Sequence, residues 1–414
     1  MTTILDLAES TNEDEELVPE ILLVDARLAL RGPVASILSL FERAASVTPD
    51  KEIIAGTGHA LIEAFAASTS SAAYIKVTAT DGDLTVSAVA DGITVQMPGA
   101  ALVPPKKIVG ILKLAPTGTA ALEVLGNTAT VRSGRAQWSV ATPVGDSLPP
   151  CADVSGIKTH TLLVTPLLAA LSIARKAAPV SAGRAALSQL LLRHGAVAAM
   201  DGQRMHRQTV ENLPYDLDLT IPLRVADEVI RLLRLSVTET VTLGGNSSHL
   251  YFKVDEDELI AQRTTTPFPD ITNYILGPSL TNQHTLAVNR QDLLESVKRI
   301  RINADPEYQT LFLTLMPGKT TSDGTSWNLT VSARDRIGNS ARETLPVAWS
   351  GPKGNKALTT NHKNLMDLLG VVSDDDIVLR IGDDTKTDKR GLFVENKVTG
   401  FTGLVNQVRT GYLT

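Results

Sequence analysis

An internal repeat constrains the fold of this chain more than any other feature of its sequence. The pentapeptide Leu84–Ala88 returns unchanged as Leu329–Ala333, and each copy sits at the same place in a longer pattern that can be followed three times. Solenoid and propeller repeats run to roughly 20 to 50 residues, so a period of about 100 to 130 residues indicates a repeated domain. The 414 residues leave room for three such domains.

Three kinds of element recur in each copy. The first is a helix, because Thr57, Thr165 and Asn289 are good N-cap residues and each precedes an apolar triplet that would share one helix face. The triplets are Leu61, Ile62 and Phe65, then Leu167, Leu168 and Leu171, then Leu293, Leu294 and Val297. The second is a pair of alternating strands, clearest from 74 to 95 around a turn at 81–83. The third is a short helix with positive charge near its start, followed by a hairpin, at 103–109, 221–225 and 358–363.

Composition narrows the class of protein further. A hydrophobic fraction of 43% allows each domain to bury its own core. Cys151 is the only cysteine, so the chain can form neither an internal disulfide nor a thiolate metal cluster, which fits a reducing compartment. We find no signal peptide and no apolar run of about 18 residues, and we therefore expect a cytoplasmic protein.

The pattern also predicts where the domains begin and end. Residues 1–50 form an amino-terminal extension, with an acidic tail at Glu13–Glu16 followed by a helix from about Pro33 to Ala45. That helix either packs on the first domain or binds a partner, and the sequence does not separate these alternatives. The three domains are expected at 51–150, 157–278 and 282–414.

Three motifs follow one another along the chain, at Val131–Val140, Ala199–Met205 and Phe268–Asp270. In this order they resemble motifs of the bacterial DNA polymerase III β subunit, the replicative sliding clamp. The first looks like the closing hairpin of the first clamp domain, the second resembles the stretch Ala-Thr-Asp-Gly-His-Arg-Leu of the second domain, and the third matches the Phe-Pro-Asp that ends that domain. The resemblance covers residues 51 to about 409. It implies an α+β fold of three tandem DNA-clamp domains, each with two helices packed on antiparallel sheets, and a homodimeric ring closed head to tail.

Such a ring would encircle double-stranded DNA without reading its sequence. Sliding requires numerous weak contacts between cations and phosphates, and the repeat helices carry suitable residues although the formal net charge is -6. The alternative is that these cations are only the solvated faces of amphipathic helices. The predicted DNA-facing residues are Lys106, Lys107, Lys113, Arg175, Lys176, Arg224, Arg231, Arg234, Arg290, Lys298, Arg299 and Arg301.

The resemblance also implies a docking groove between the second and third domains. In the family, the replicative polymerase, the clamp loader and repair proteins insert clamp-binding peptides of the type Gln-Leu-x-Leu-Phe there. Flexible methionines suit such a promiscuous site, although Met200 and Met205 could equally be ordinary core residues. The predicted groove residues are Met200, Gly202, Arg204, Met205, Pro269, Leu404, Val408 and Arg409.

The carboxyl terminus departs from the family pattern. Clamps commonly finish Met-Pro-Met-Arg-Leu, whereas this chain has Asn406–Thr410 and four further residues, and Gln203 replaces the family's histidine. We therefore expect a groove whose preferred motif differs from the common one.

Nothing in the sequence indicates catalysis. Gly56 and Gly58 lack the rest of a dinucleotide-binding motif, the seven histidines show no metal-ligand spacing, and Gly-x-Ser-x-Gly and Walker motifs are absent. The carboxylate runs Asp255–Glu258 and Asp374–Asp376 are expected to be solvated hairpin tips. We expect no enzymatic activity, no cofactor, no metal and no membrane partner. Beside the clamp stands a second hypothesis, a clamp-fold adaptor or regulator that binds partner peptides without encircling DNA, and an unrelated enzyme is a distant third.

Overall fold

The computed structural model describes residues 26–69, 72–90, 92–116, 118–143, 146–179, 183–271, 284–321, 324–351, 356–381 and 391–408. These residues form two compact units. Unit 1 holds the described residues up to 153 together with 256–258, and unit 2 holds 154–255 and the described residues from 259 onwards. No helix among the described residues is long and apolar enough to cross a membrane.

Unit 1 contains nine strands and two helices among its described residues. They are β1 (Arg27–Pro33), α1 (Val34–Val47), β2 (Ala60–Phe65), β3 (Tyr74–Thr80), β4 (Leu84–Ala90), β5 (Thr94–Met97), β6 (Gly99–Val103), α2 (Pro105–Leu114), β7 (Thr119–Leu125), β8 (Thr128–Ser133) and β9 (Ala136–Ala141). One antiparallel sheet has the order β5-β1-β7-β8-β9, and β4, β3, β2 and β6 lie side by side in a second. Side chains from both sheets and both helices share one hydrophobic core.

Unit 2 contains the remaining helices and strands. The first half has β10 (Thr159–Leu163), α3 (Val164–Arg175), β11 (Gln189–Arg193), β12 (Ala196–Met200), β13 (Arg204–Thr209), β14 (Asp218–Pro222), α4 (Leu223–Leu235), β15 (Thr240–Gly245), β16 (His249–Val254) and β17 (Asp257–Gln262), of which the first two residues belong to unit 1. The second half has β18 (His284–Asn289), α5 (Arg290–Ile300), β19 (Thr310–Thr321), β20 (Gly324–Arg334), β21 (Ser340–Trp349), β22 (Lys356–Asn361), α6 (His362–Leu369), β23 (Asp376–Ile381), β24 (Gly391–Asn396) and β25 (Phe401–Asn406).

The same module occurs three times in this element order. Each module runs strand, helix, four strands, helix, three strands, and the first has one additional strand, β5. We name them module 1 (27–141), module 2 (159–262) and module 3 (284–406). In each, the first strand pairs with the strand after the second helix, as in β1 with β7, β10 with β15 and β18 with β23. This arrangement confirms the predicted α+β class of paired helices and antiparallel sheets.

Modules 2 and 3 share one continuous sheet. Its order is β14-β11-β12-β13-β25-β24-β23-β18-β21-β20-β19-β22, and the modules meet where β13 pairs with β25. The register joins Met205 to Leu404 and Arg207 to Thr402. Because backbone hydrogen bonds cross this junction, the relative position of these two strands is fixed residue by residue.

The predicted helix after Thr57 is wrong. Residues 60–65 form strand β2, in which Ala60, Ile62 and Ala64 are buried and the intervening residues are half-buried. Of the apolar triplet that suggested one helix face, only Ile62 is buried, while Leu61 and Phe65 lie on the opposite face of the strand, and pairing with β3 and β6 decides the outcome. The helix at this place in module 1 is α1, which lies earlier in the chain.

The two copies of the pentapeptide do not occupy equivalent strands, contrary to the prediction. Leu84–Ala88 lies in β4, the third strand after the first helix of its module, whereas Leu329–Ala333 lies in β20, the second. In module 1 the strand equivalent to β20 is β3. Strand β20 pairs with β19, which also pairs with β22, and in the same way β3 pairs with β2, which also pairs with β6. The identity of the two peptides reflects similar sheet environments and not the repeat itself.

Residues 27–47 belong to the core of unit 1. Strand β1 is hydrogen-bonded on both edges, to β5 and β7, and α1 buries Ile37, Leu40 and Phe41 in the same core as both sheets. Fully burying such a side chain contributes about 1.5–3 kcal/mol before entropy is subtracted. We therefore propose that the first domain begins at β1 and not at residue 51, while the domain limits at 157–278 and 282–414 remain predictions. The acidic tail lies outside the described residues.

Candidate functional site

An apolar cluster lies where modules 2 and 3 join. Its buried members are Leu191, Ala198, Met205, Phe268, Ile271, Phe393 and Leu404, and the half-buried Met200 packs against them. Four of these residues form one row across the sheet, because Met200 pairs with Met205, Met205 with Leu404, and Leu404 with Phe393. Side chains of directly paired residues lie on one face, so the row presents a continuous apolar strip. We call this set the apolar cluster.

The segment that follows β17 covers the cluster from the other side. Phe268 and Ile271 are 6% exposed, while Pro269 between them is half-buried and Asp270 is exposed. Gln189 holds the start of this segment, since its side-chain amide donates to the carbonyl oxygen of Thr266 at 2.9 Å. Met200 and Pro269 therefore mark the side of the cluster that is open to solvent.

The structure brings together three of the predicted groove residues, Met200, Met205 and Leu404. Pro269 lies beside them between two cluster members. Gly202 lies in the turn before β13 with φ of +91°, and its carbonyl accepts a hydrogen bond from the Asn406 side chain at 3.1 Å. Val408 instead lies beside β22, where its backbone bonds to Thr359. Arg409 lies outside the described residues.

Arg204 ties module 2 to module 3. Its guanidinium donates to Asp201 at 3.1 Å and to Asp367, which lies on α6, and its side chain is only 8% exposed. Asp201 also accepts from the backbone amides of residues 203 and 204. A guanidinium held by two carboxylates is neutralised within the protein, so Arg204 offers little free charge to a ligand.

Buried beneath the cluster, on the other face of β13, lies His206. Its Nδ1 bonds to the carbonyl oxygen of Ile173 at 3.0 Å, and its ring meets Phe401 edge to face at 5.6 Å between centroids. Burial lowers the pKa of His206 to about 4, and the nearby Arg204 and Lys176 act in the same direction. The imidazole is therefore neutral at physiological pH.

The sequence offered little sign of Leu191, Ala198, Ile271 and Phe393 as cluster members. Phe393 reaches the cluster from β24, which lies almost 190 residues beyond β13 in the chain and meets it only through β25. Phe268 and Ile271 flank the predicted Pro269, and their apolar character was the one local signal that could have extended the prediction.

All twelve predicted DNA-facing residues lie on, or directly after, a helix. Six of them form ion pairs with carboxylates: Lys106 with Asp50, Lys113 with Glu42, Arg175 with Asp227, Arg231 with Glu228, Lys298 with Glu295 and Arg299 with Glu343. Arg290 donates to the carbonyl oxygen of Asp374 at 2.7 Å, and Arg224 is exposed on α4.

Four of the twelve are exposed cations that form no ion pair with any described residue. They are Lys107 on α2, Lys176 after α3, Arg234 on α4 and Arg301 after α5. A cation that is not already neutralised by a neighbouring carboxylate gains most from a phosphate. These four are therefore the strongest candidates for contacts with a polyanion.

The run Asp255–Glu258 is not a solvated tip, contrary to the prediction. Asp255 accepts hydrogen bonds from Ser236, Val237 and Thr238, which lower the pKa of its carboxyl against the opposing effect of burial. Asp257 is 6% exposed and accepts two hydrogen bonds from Arg43 within unit 1. These carboxylates hold loops and a helix in place. Among the described residues, no group of three or more His, Cys, Asp or Glu could hold a metal ion.

Comparison with known proteins identifies the fold. The chain is similar to the β sliding clamp of C. crescentus (TM-score 0.79, 19% identity, 93% of this chain and 99% of that one). It is also similar to the DnaN sliding clamp, DNA polymerase III subunit β, from Bartonella birtlesii bound to griselimycin (0.78, 20%, 93% and 100%) and to DNA polymerase III subunit β from Pseudomonas aeruginosa (0.77, 18%, 92% and 100%). No protein-family model matches the chain, and no curated protein matches its sequence.

These matches define a class by its architecture. The chain has the fold of the bacterial sliding clamps, over more than nine tenths of its own length and nearly all of theirs. At 18–20% identity the likeness establishes the fold and leaves function to be argued from the chain's own residues.

Proposed function

We propose that this chain is a DNA sliding clamp, which encircles duplex DNA as a homodimer and tethers the replicative polymerase for processive synthesis. The observation that carries the proposal is the match to clamp structures over more than nine tenths of the chain, with the module repeated three times. The role needs no catalytic group, cofactor or metal, and we place it in the cytoplasm, where bacterial replication takes place.

The way modules 2 and 3 join supports a proposal for how the ring closes. There the last strand of one module, β25, pairs with the third of the four strands between the helices of the other, β13. Module 1 ends in β9, which pairs only with β8 among the described strands. The counterpart of β13 in module 3 is β21, whose first residues, 340–346, pair along one edge only, with β20.

We propose that β9 of one protomer pairs with β21 of the other. Unpaired strand edges favour such addition, and two identical head-to-tail junctions would close a ring. The register can be transferred from the junction of modules 2 and 3. Gln137 is the second residue of β9, and Thr402 is the second residue of β25. Arg342 lies two residues after the first residue of β21 that pairs with β20, and Arg207 lies two residues after the first residue of β13 that pairs with β12. Because Arg207 pairs with Thr402, Arg342 is expected opposite the partner's Gln137.

A cross-link tests this seam. In a Cys151→Ser background, the double variant Gln137→Cys/Arg342→Cys is expected to oxidise to a covalent dimer of twice the 44.1 kDa chain mass on a denaturing gel, since paired Cα atoms lie within disulfide reach. The control Gln137→Cys/Ser332→Cys moves one thiol to β20, one strand farther away. Equal cross-linking of both variants, or of neither, would show that the seam lies elsewhere.

The four unpaired helix cations serve as phosphate contacts in this proposal. Lys107, Lys176, Arg234 and Arg301 would meet the backbone without reading bases, so binding would be indifferent to sequence and weakened by salt. The overall net charge of -6 opposes adhesion of DNA to other surfaces.

The apolar cluster is the proposed docking site for the polymerase, the clamp loader and other partners that carry clamp-binding peptides. An apolar strip with a half-buried methionine at its open side can repack around different aliphatic and aromatic side chains.

A further inference from the structure

One arginine beside the apolar cluster has no acidic partner among the residues that the structure describes. Arg207 lies on β13 two residues after Met205, so both side chains project from the same face of the sheet. It is paired directly with Ala198, a member of the cluster, on one side and with Thr402 on the other. No described carboxylate forms an ion pair with Arg207.

Two other arginines near the junction are neutralised. Arg204 is held by Asp201 and Asp367, and Arg193 on β11 donates to Asp218 through two nitrogens, at 3.0 and 2.9 Å. On the same face, in the row of Arg207, Glu395 lies beyond Thr402, 3.5 Å from Arg380. Arg207 is therefore a half-buried cation, and the carboxylates of Asp201, Asp367, Asp218 and Glu395 are each paired with another arginine.

The exposed Tyr215 lies near this cation. Tyr215 stacks on His194 with ring centroids 4.9 Å apart, and Tyr215 is 73% exposed. Burial lowers the pKa of Arg207, and the nearby Tyr215 opposes that effect. Arginine nevertheless stays protonated, so the charge persists and lacks compensation in the free protein.

A half-buried guanidinium without a counter-ion is costly unless a ligand supplies one. The position of Arg207 indicates which ligand, because a peptide seated on the apolar cluster would pass within reach of it. A carboxylate satisfies the guanidinium fork with two parallel hydrogen bonds. The apolar side chains of such a peptide would fill the cluster, and one acidic side chain would supply the missing charge.

We propose that Arg207 is a specificity-determining residue, which selects partner peptides that carry an aspartate or glutamate next to their apolar anchors. This inference rests on the proposed docking function of the apolar cluster. It explains, through Arg207, the expectation that the groove prefers a peptide motif different from Gln-Leu-x-Leu-Phe.

Peptide binding tests the proposal. The probes are fluorescein-labelled Gln-Leu-Ser-Leu-Phe and matched pairs with one Asp or one Asn before the first residue, at the third, or after the last. Fluorescence anisotropy at one fixed salt concentration gives each Kd. At least one Asp peptide is expected to bind about tenfold more tightly than its Asn counterpart, the gain of one charge-assisted hydrogen-bonded pair.

Four variants test whether Arg207 causes the preference for the Asp peptide. Arg207→Gln is expected to bind the Asp and Asn peptides equally, and Arg207→Lys is expected to keep part of the preference for Asp. The control Arg193→Gln changes an arginine that is ion-paired with Asp218, and it is expected to keep the whole preference. Met200→Asp, at the open side of the cluster, is expected to weaken the binding of every peptide.

The failures are distinguishable. One outcome is that the wild type binds the Asp and Asn peptides equally while Met200→Asp still weakens the binding of both. This result would overturn the role of Arg207 but would still support the docking site. No binding of any peptide, or binding that Met200→Asp does not change, overturns the docking site and the inference with it. A third outcome is that Arg207→Gln weakens the binding of a labelled single-stranded oligonucleotide and leaves the preference for the Asp peptide unchanged. In that case the anion that Arg207 binds is a phosphate, and the proposal is wrong.

Discussion

Acidification from pH 7 to pH 4 is expected to remove about 3 kcal/mol of stability from unit 2 through His206 alone. The folded pKa of about 4 lies below the ordinary value of 6.5, and each pKa unit corresponds to about 1.4 kcal/mol. Because the folded pKa is lowered, the unfolded chain binds the proton first as pH falls. The stabilisation is complete above about pH 6.5 and is lost as the pH falls towards 4.

The surroundings of His206 explain the size of this effect. Protonation would place a charge in a fully buried site between α3 and β25, beside the cations Arg204 and Lys176, and the hydrogen bond to Ile173 and the charge of Asp367 oppose this effect only in part. Nδ1 is already engaged with Ile173, and Nε2 has no described hydrogen-bond partner that could stabilise the cation.

Urea unfolding at pH 7 and pH 4 measures the effect in a Trp138→Phe background, where the fluorescence comes from Trp327 and Trp349 in module 3. His206→Gln keeps a polar side chain but cannot titrate, so its loss of stability between the two pH values is expected to be smaller than that of the wild type. The control His160→Gln changes a half-buried histidine on β10 and is expected to behave as the wild type does. The assignment fails if His206→Gln loses as much stability as the wild type.

The second large effect concerns docking. Met200→Asp is expected to weaken binding of the Gln-Leu-Ser-Leu-Phe probe by at least about 30-fold, because a hydrated carboxylate at the open side of an apolar site must be desolvated by the peptide. Met200 is only half-buried, so the folded protein can keep the new carboxylate in contact with water. Binding is measured by anisotropy, and the melting temperature and oligomeric mass are expected to stay close to those of the wild type.

A matched methionine provides the control. Met316 lies on β19 of module 3, is 37% exposed, and is not part of the apolar cluster. Met316→Asp introduces the same charge on the same sheet and is expected to leave the Kd unchanged. Equal weakening by both variants would mean that general charge, and not the cluster, governs binding.

The sequence predicted those elements that are specified locally. Asn289 caps α5 as expected, with its side chain accepting from the amide of Asp292 at 3.0 Å. The turn at 81–83 forms because the Asp81 carboxylate accepts from the amides of Asp83 and Leu84. For α3 the sequence predicted the helix but not its start, since the cap position is Leu163 and Thr165 lies inside the helix. Such signals act within a few residues, so the sequence alone is sufficient to find them.

Features that depend on strand pairing were not predictable in the same way. The triplet after Thr57 has the spacing of a helix face, yet pairing with β3 and β6 makes it a strand in which only Ile62 of the three is buried. Phe393 and Arg207 acquire their places beside Met205 and Ala198 through β25 and β12. Resemblance to the clamps indicated Met200, Met205 and Leu404, but it could not indicate a residue such as Arg207, whose importance comes from the lack of a partner.

Topological linkage to DNA is the central claim, and release by cutting the DNA tests it most directly. The protein is loaded on a nicked circular plasmid by the clamp loader of its source, separated from free protein by gel filtration, and the plasmid is then linearised with a restriction enzyme. A closed ring is expected to stay with the circle and to leave the linear DNA by sliding off its ends. Equal retention on circular and linear DNA would contradict the claim and would favour an adaptor that binds without encircling the duplex.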